Sequence, residues 1–353
     1  MVDTELSMVT NLKDARHELA QVITELHFKN NPELEQQYGE KGRQKCYEDA
    51  VYHISYLEQA VRVKSSVLFS NYLDWARTML KERGIPESDL IDNISFMKEA
   101  IQQKLPKDEA QKLVEFIDIG LNSLQSNPHR NKTYLNPGEP LAEEAKDYLD
   151  LLLSGNRKKA AGLIEELVTE GQSIRDIYEH IFQKTQYEVG ALWQNNKISV
   201  AHEHYCTAAT QLIMSGLYPK IFSMDKTGKK LVACSVADEL HEIGIRMVSD
   251  FFEMEGWDTH YLGASMPDEH LIKLLKEYKP EILAISVTMP LHIDRAAKLI
   301  EKVREDNQTA KIKIMVGGYP FSIVPDLWEK IGADASAGSA QEAIEIANKL
   351  ILN

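Results

Sequence analysis

Apolar positions along the chain change their period once and are interrupted once, and these features divide it into three stretches. Up to residue 125 the spacing is helical throughout. Residues 11–28 set Leu12, Ala15, Leu19, Val22, Ile23 and Leu26 close to a 3.6-residue repeat. Residues 46–80 carry a longer pattern rich in aromatics, including Tyr47, Tyr52, Tyr56, Phe69, Tyr72 and Trp75. No glycine or proline falls between Gly42 and Gly84, so this pattern predicts one long helix or a closely spaced pair. Two shorter helices are predicted over 88–103 and 108–124, separated by Leu105-Pro106-Lys107.

Residues 126–140, with Pro128, Pro137, Gly138 and Pro140, read as a linker between domains. Helical spacing returns over 143–154, 156–170, 173–195 and 199–221, a length that suits a four-helix bundle within 141–224. From Lys230 the texture changes to alternation. Strand candidates lie at 231–237, 259–263, 282–287, 312–316 and 333–337, with helical patterns at 242–255, 268–278, 291–305, 323–331 and 340–352. Five strands alternating with five helices predict a doubly wound, five-stranded parallel sheet over 230–353. The expected fold is all-α followed by α/β.

Composition narrows the function classes. The 353 residues are enough for two or three domains with real cores. A net charge of −14 argues against nucleic acid or an anionic membrane as the main partner. The acidic start, Met1-Val2-Asp3-Thr4-Glu5, is unlike a signal peptide, and no stretch reaches the length of a membrane span. Cys46, Cys206 and Cys234 are odd in number and far apart, which fits a reducing compartment; the expectation is a soluble, cytoplasmic protein that is not an enzyme.

Candidate chemistry gathers after the first strand. Doubly wound sheets bind ligands beyond the carboxyl ends of their strands, where the strand order reverses. There the chain reads Glu239-Leu240-His241-Glu242-Ile243-Gly244. A single loop histidine is more often solvated than ligating. Glu239, however, offers an acceptor for one ring N–H, which would fix the tautomer and raise the basicity of the other nitrogen. Gly244 leaves room for a bulky group at the helix start. Ser286-Val287-Thr288 and Gly317-Gly318 end the third and fourth strands at the same edge.

The His-x-x-Gly spacing, the Ser-x-Thr and the Gly-Gly resemble the cobalamin-binding domain of methionine synthase, B12-dependent mutases, corrinoid methyl carriers and B12 photoreceptors. That resemblance, over residues 141–353, implies a flavodoxin-like fold with His241 as the lower axial ligand of cobalt and Glu239 behind it. Ser286, Thr288, Gly317 and Gly318 would line the pocket for the nucleotide tail. Glu239 departs from the aspartate commonest in the family.

Trp193, with Glu203-His204 ten residues on, is similar to the cap motif of the CarH and LitR class of B12 photoreceptors. The implied cofactor is adenosylcobalamin, with these three residues above cobalt. Gln194 replaces the histidine that in some of those relatives captures cobalt after illumination. Residues 1–125 lack the clustered Arg and Lys of a DNA-binding domain. The segment 52–81 instead resembles globin-like helical sensor domains, which in photocobilins bind biliverdin. Cys46 reads as a buried cysteine, and His17, His27 and His53 show no ligand spacing.

The expectation is thus a light sensor that holds adenosylcobalamin, with biliverdin as a second candidate chromophore, and signals through a light-dependent homo-oligomer or an effector protein. The rival reading is a corrinoid methyl-carrier protein serving a methyltransferase, with a preference for methylcobalamin. A scaffold that has lost its ligand is a third reading, disfavoured by His241, Gly244 and Gly317-Gly318.

Overall fold

The structure, a computed structural model, describes residues 2–126, 133–222 and 225–352; Pro128 of the expected linker lies outside the described residues. The chain divides into two compact units, Met1–His129 and Arg130–Asn353.

The first unit consists of α1 (Val2–Asp14), α2 (Arg16–Asn30), α3 (Glu33–Arg62), α4 (Ser66–Lys81), α5 (Glu87–Lys104) and α6 (Lys107–Ser126). The aromatic stretch 46–80 is a pair of helices, parted by a turn in which Lys64 adopts φ 54°. Gly39 breaks α3 near its start with φ 55° and ψ −154°, a conformation that favours glycine. Leu19, Ile23, Ile54, Leu57, Phe69 and Leu73 are fully buried. Close packing of α6 on α4 depends on Gly120, where a Cβ would stand 2.8 Å from Leu73 Cδ1 and 3.0 Å from Phe69 Cδ1. The Tyr56 and Tyr72 rings stack with centroids 3.6 Å apart.

The second unit begins with α7 (Ala142–Leu153) and α8 (Arg157–Thr169). Then α9 (Ile174–Asp176) widens into a π-helical segment, Ile177–Gln183, and continues as α10 (Lys184–Gln194). The bundle closes with α11 (Val200–Gly216) and the short α12 (Tyr218–Ile221). Tyr148, Tyr178, Ile181 and Phe182 are fully buried between these helices.

There follow β1 (Lys230–Ser235), α13 (Ile243–Met254), β2 (Asp258–Tyr261), α14 (Asp268–Tyr278), β3 (Ile282–Ser286), α15 (Ile293–Glu305), β4 (Lys313–Gly317), α16 (Tyr319–Ile323), α17 (Leu327–Lys330), β5 (Ala335–Ser336) and α18 (Ala340–Leu350). The strands form one parallel sheet in the order β2-β1-β3-β4-β5. Every residue of β3 is buried, the composition expected of a central strand covered on both faces.

Of the helix predicted over 323–331 only α17 forms, and a separate short helix, α16, precedes it. Pro325 has no N–H to donate and drives Val324 into extended backbone (φ −122°, ψ 91°), so α16 stops at Ile323 and α17 restarts at Leu327.

Strand order reverses between β1 and β3, and the register lines up their ends: Ser235 pairs with Ser286, and Ser286 with Gly317. The loops that follow these strands therefore emerge side by side. The bundle is tied to the sheet through α11 and α13. Arg246 donates to Gln211 O at 3.0 Å and Ser215 Oγ at 2.8 Å, and Gln211 Nε2 donates to Glu242 Oε1 at 2.6 Å.

Candidate functional site

The loop after β1 is held rigidly before any ligand arrives. Asp238 sits in the left-handed region (φ 64°) and donates its N–H to Ser265 Oγ at 3.0 Å. Ser265 N–H donates in turn to Glu239 O at 2.9 Å, and Ser235 Oγ donates to His241 O at 3.0 Å. A conformation that costs energy at a non-glycine residue persists only when its surroundings enforce it, and here they do.

Glu239 is completely buried and its two oxygens divide the neighbouring donors. Oε1 accepts from His241 N–H at 3.1 Å and lies 2.6 Å from His241 Nδ1. Oε2 accepts from the backbone N–H groups of Thr288 and Met289, each at 2.8 Å, and meets His292 Nδ1 at 3.1 Å. An ionised carboxylate only accepts, so Nδ1 of His241 carries a proton, and Nε2 keeps its lone pair whenever the ring is neutral.

Burial alone would raise the Glu239 pKa. The hydrogen bonds from His241, His292 and Met289, with the His241 charge, outweigh it and hold the carboxyl well below the usual carboxylate range. The His241 pKa is raised, first by its hydrogen bond to Glu239; burial opposes this, and the charges of Glu239 and Glu203 add to it. Glu203 lies on α11, so its carboxylate acts electrostatically on the loop after β1.

The His241 side chain is 57 % exposed, whereas its partner carboxylate is not exposed at all. A Cβ on Gly244 would meet nothing within 4 Å, which leaves open space beside the start of α13. One accessible imidazole lone pair beside such a space fits a corrinoid, whose ring already supplies the equatorial ligands of its cobalt.

Of the other residues singled out, Ser286 is buried at the end of β3, and Thr288 reaches Glu239 through its backbone N–H. Gly317 ends β4 and Gly318 follows it, before α16. Gly318 has a packing duty there, because with φ 113° a Cβ would fall 2.0 Å from Val287 O. On the bundle side, Trp193 is half-buried near the end of α10. His204 Nδ1 lies 2.5 Å from Glu203 Oε2 in the first turn of α11, and Thr207 Oγ1 donates to Glu203 Oε1 at 3.2 Å. His202 is engaged in capping α11, with Nδ1 2.8 Å from Ser199 Oγ.

Sequence reasoning missed His292. The residue stands in Met289-Pro290-Leu291-His292 after β3, and only the β1–β3 adjacency brings it to Glu239.

Residues 229–348 and 144–218 match two models of a B12 binding domain, and residues 3–154 match a phycobilisome protein model. A dimethylamine corrinoid protein of Methanosarcina barkeri is 27% identical over 213 residues, covering 59% of this chain and 98% of the relative. A corrinoid protein of Desulfitobacterium hafniense is 26% identical over 205 residues, 57% of this chain and 94% of its own. Among solved structures, the monomethylamine corrinoid protein of M. barkeri aligns with a TM-score of 0.53 at 23% identity, covering 59% of this chain and 99% of that one, which speaks to the fold alone.

These relatives correct the light-sensor expectation. The match extends over nearly the whole of proteins named dimethylamine corrinoid proteins, which favours the rival corrinoid-protein reading over the light sensor. Among the described residues no helix is long and apolar enough to cross a membrane. Residues 144–218 and 229–348 are thus similar to B12 binding domains, which supports cobalamin binding.

Proposed function

We propose that the chain is a corrinoid methyl-carrier protein that serves a cobalamin-dependent methyltransferase. The observation that carries this reading is the likeness, over residues of both the bundle and the sheet, to dimethylamine corrinoid proteins along almost their full length. His241 would hold the cobalt from below through Nε2, with Glu239 fixing its tautomer. Ser286, Thr288, Gly317 and Gly318 would receive the tail, and Trp193, Glu203 and His204 would stand over the upper face. A bound corrinoid supplies the metal centre that accepts and releases a methyl group. The chain's own part is to orient the imidazole, exclude water from Glu239 and present the upper face to a partner enzyme.

Within this reading methylcobalamin is the working form and adenosylcobalamin the competitor. Titration of the purified chain with each, in darkness, tests it. Methylcobalamin is expected to bind at least as tightly as adenosylcobalamin; tenfold tighter binding of adenosylcobalamin would overturn the carrier reading.

For the helical unit we infer a second ligand, biliverdin. Supporting it are the phycobilisome protein match and an apolar cavity of about 320 Å³ lined by His27, Tyr38, Cys46, Asp49, His53 and Asn93 among others. Burial pushes the Cys46 thiol up to about 11, which leaves it a poor nucleophile, so the ligand would be held without a covalent bond. A red-shifted, protein-bound band on adding biliverdin, released by denaturation, is the expected result. An unshifted spectrum would remove biliverdin from this cavity.

A further inference from the structure

Glu203, Thr207 and Gln211 follow one another at four-residue spacing on α11 and so share one face of that helix. Gln211, at one end of the row, donates to Glu242, the residue after His241. The row therefore rises from the loop that carries His241, and the charge of Glu203 acts on the His241 ring. Thr207, in the middle, places Oγ1 3.2 Å from Glu203 Oε1 and 3.2 Å from Gln186 Oε1. Gln186, on α10, donates from Nε2 to Thr210 Oγ1 at 2.9 Å, and Thr210 meets the Tyr148 hydroxyl at 3.1 Å. Thr210 and Tyr148 are completely buried, so the polar contacts behind Thr207 run into the interior of the bundle.

A hydroxyl has one proton to give, and of two acceptors at equal distance the charged carboxylate is the stronger. Glu203 also meets His204 Nδ1, but the His204 side chain is 76 % exposed, so water competes for that contact. Thr207 is the contact that ties the carboxylate to the bundle. We propose that Thr207 is a positioning residue that holds the Glu203 carboxylate as an acceptor over the upper face of a bound corrinoid. The proposal rests on the corrinoid reading of the site. A carboxylate held there favours the oxidised, methyl-free form, which is cationic and carries water above cobalt. It gives nothing to the methylated form, whose upper group neither donates nor bears charge.

The test uses the full chain, titrated in darkness with aquocobalamin and with methylcobalamin, and reads the ratio of the two affinities. Loosening of the bundle weakens both, whereas loss of the carboxylate lowers the ratio. Glu203→Gln should lower it about tenfold, the scale of a hydrogen bond to a charged group. Thr207→Val, close in shape but without the hydroxyl, should lower it by about threefold or more, and Thr207→Ser should keep it within about twofold of wild type. Adding Thr207→Val to Glu203→Gln should lower it no further. A Thr207→Val ratio equal to wild type overturns the proposal and leaves the corrinoid reading intact, and so does an unchanged ratio in Glu203→Gln. Failure of wild type to bind either form would instead sink the corrinoid reading, and the proposal with it. If Thr207→Val does not fold, Thr207→Ala against Thr207→Ser gives the same contrast of no hydroxyl against hydroxyl.

Discussion

Glu239 Oε1 lies 2.6 Å from Nδ1 of His241, and the same carboxylate is anchored through Oε2 to the loop after β3. One buried charge therefore fixes the ligand's tautomer and joins the two loops that flank the switch point of the sheet. Replacing Glu239 with Gln keeps one acceptor oxygen but removes the charge and sets an amide N–H among donors. Cobalamin affinity should fall by roughly 10–100-fold, the usual cost of losing a partner behind a metal ligand. Equal affinity in a titration of the two proteins would contradict this role.

The same contact predicts an acid limit for the ligand-free protein. Glu239 has a folded pKa below its unfolded value, so its contribution is present above the unfolded value, about 4.3. That contribution is lost as pH falls through the folded value. Urea unfolding below pH 5 should show wild type losing stability faster than Glu239→Gln. Parallel curves would place the acid sensitivity elsewhere.

Two glycines separate cofactor space from packing. Gly244→Leu fills a position where a Cβ touches nothing, so ligand-free stability should change by no more than about 0.5 kcal/mol while cobalamin binding falls at least tenfold. Gly318→Ala drives a Cβ into Val287 O at positive φ and should cost about 2 kcal/mol or more without ligand. Thermal melts of both variants, with and without cobalamin, check the contrast; destabilisation by Gly244→Leu in the ligand-free protein would remove the open space.

Asp250 gives a pH effect of opposite sign. Burial raises its pKa to about 6, against hydrogen bonds from Tyr178 and Tyr218 and the charge of Arg246 that lower it. The folded state then holds the proton more tightly than the unfolded chain, so stability declines as pH rises from about 4 to 6. Asp250→Asn keeps an acceptor for the Tyr178 hydroxyl, now 2.9 Å from Oδ2, and should flatten that decline, gaining up to about 2 kcal/mol at pH 7.5. An unaltered slope would show that folding does not raise the Asp250 pKa.

Much of the architecture was legible because apolar runs at 231–237 and 282–287 are too short for helices and are followed by amphipathic segments. His241 was legible for a related reason: a histidine with a carboxylate two residues before it stands where such sheets bind ligands. Pro325 was in plain view, yet the apolar spacing around it masked its power to split a helix. His292 was not legible, since its partner lies 53 residues away and meets it only through strand order. The Tyr178–Asp250 contact, 72 residues apart, was hidden for the same reason. Trp193, Glu203 and His204 marked the bundle side, but only a resemblance to a photoreceptor cap motif tied them to a photolabile cofactor, and the relatives redirect that reading.

The decisive measurement is the absorption spectrum of methylcobalamin bound to wild type and to His241→Ala at equal occupancy. Wild type should displace the cofactor's own base and show a histidine-ligated form, and His241→Ala should lose it and bind at least tenfold more weakly. Indistinguishable spectra and affinities would contradict His241 as the cobalt ligand and, with it, the carrier function proposed for this chain.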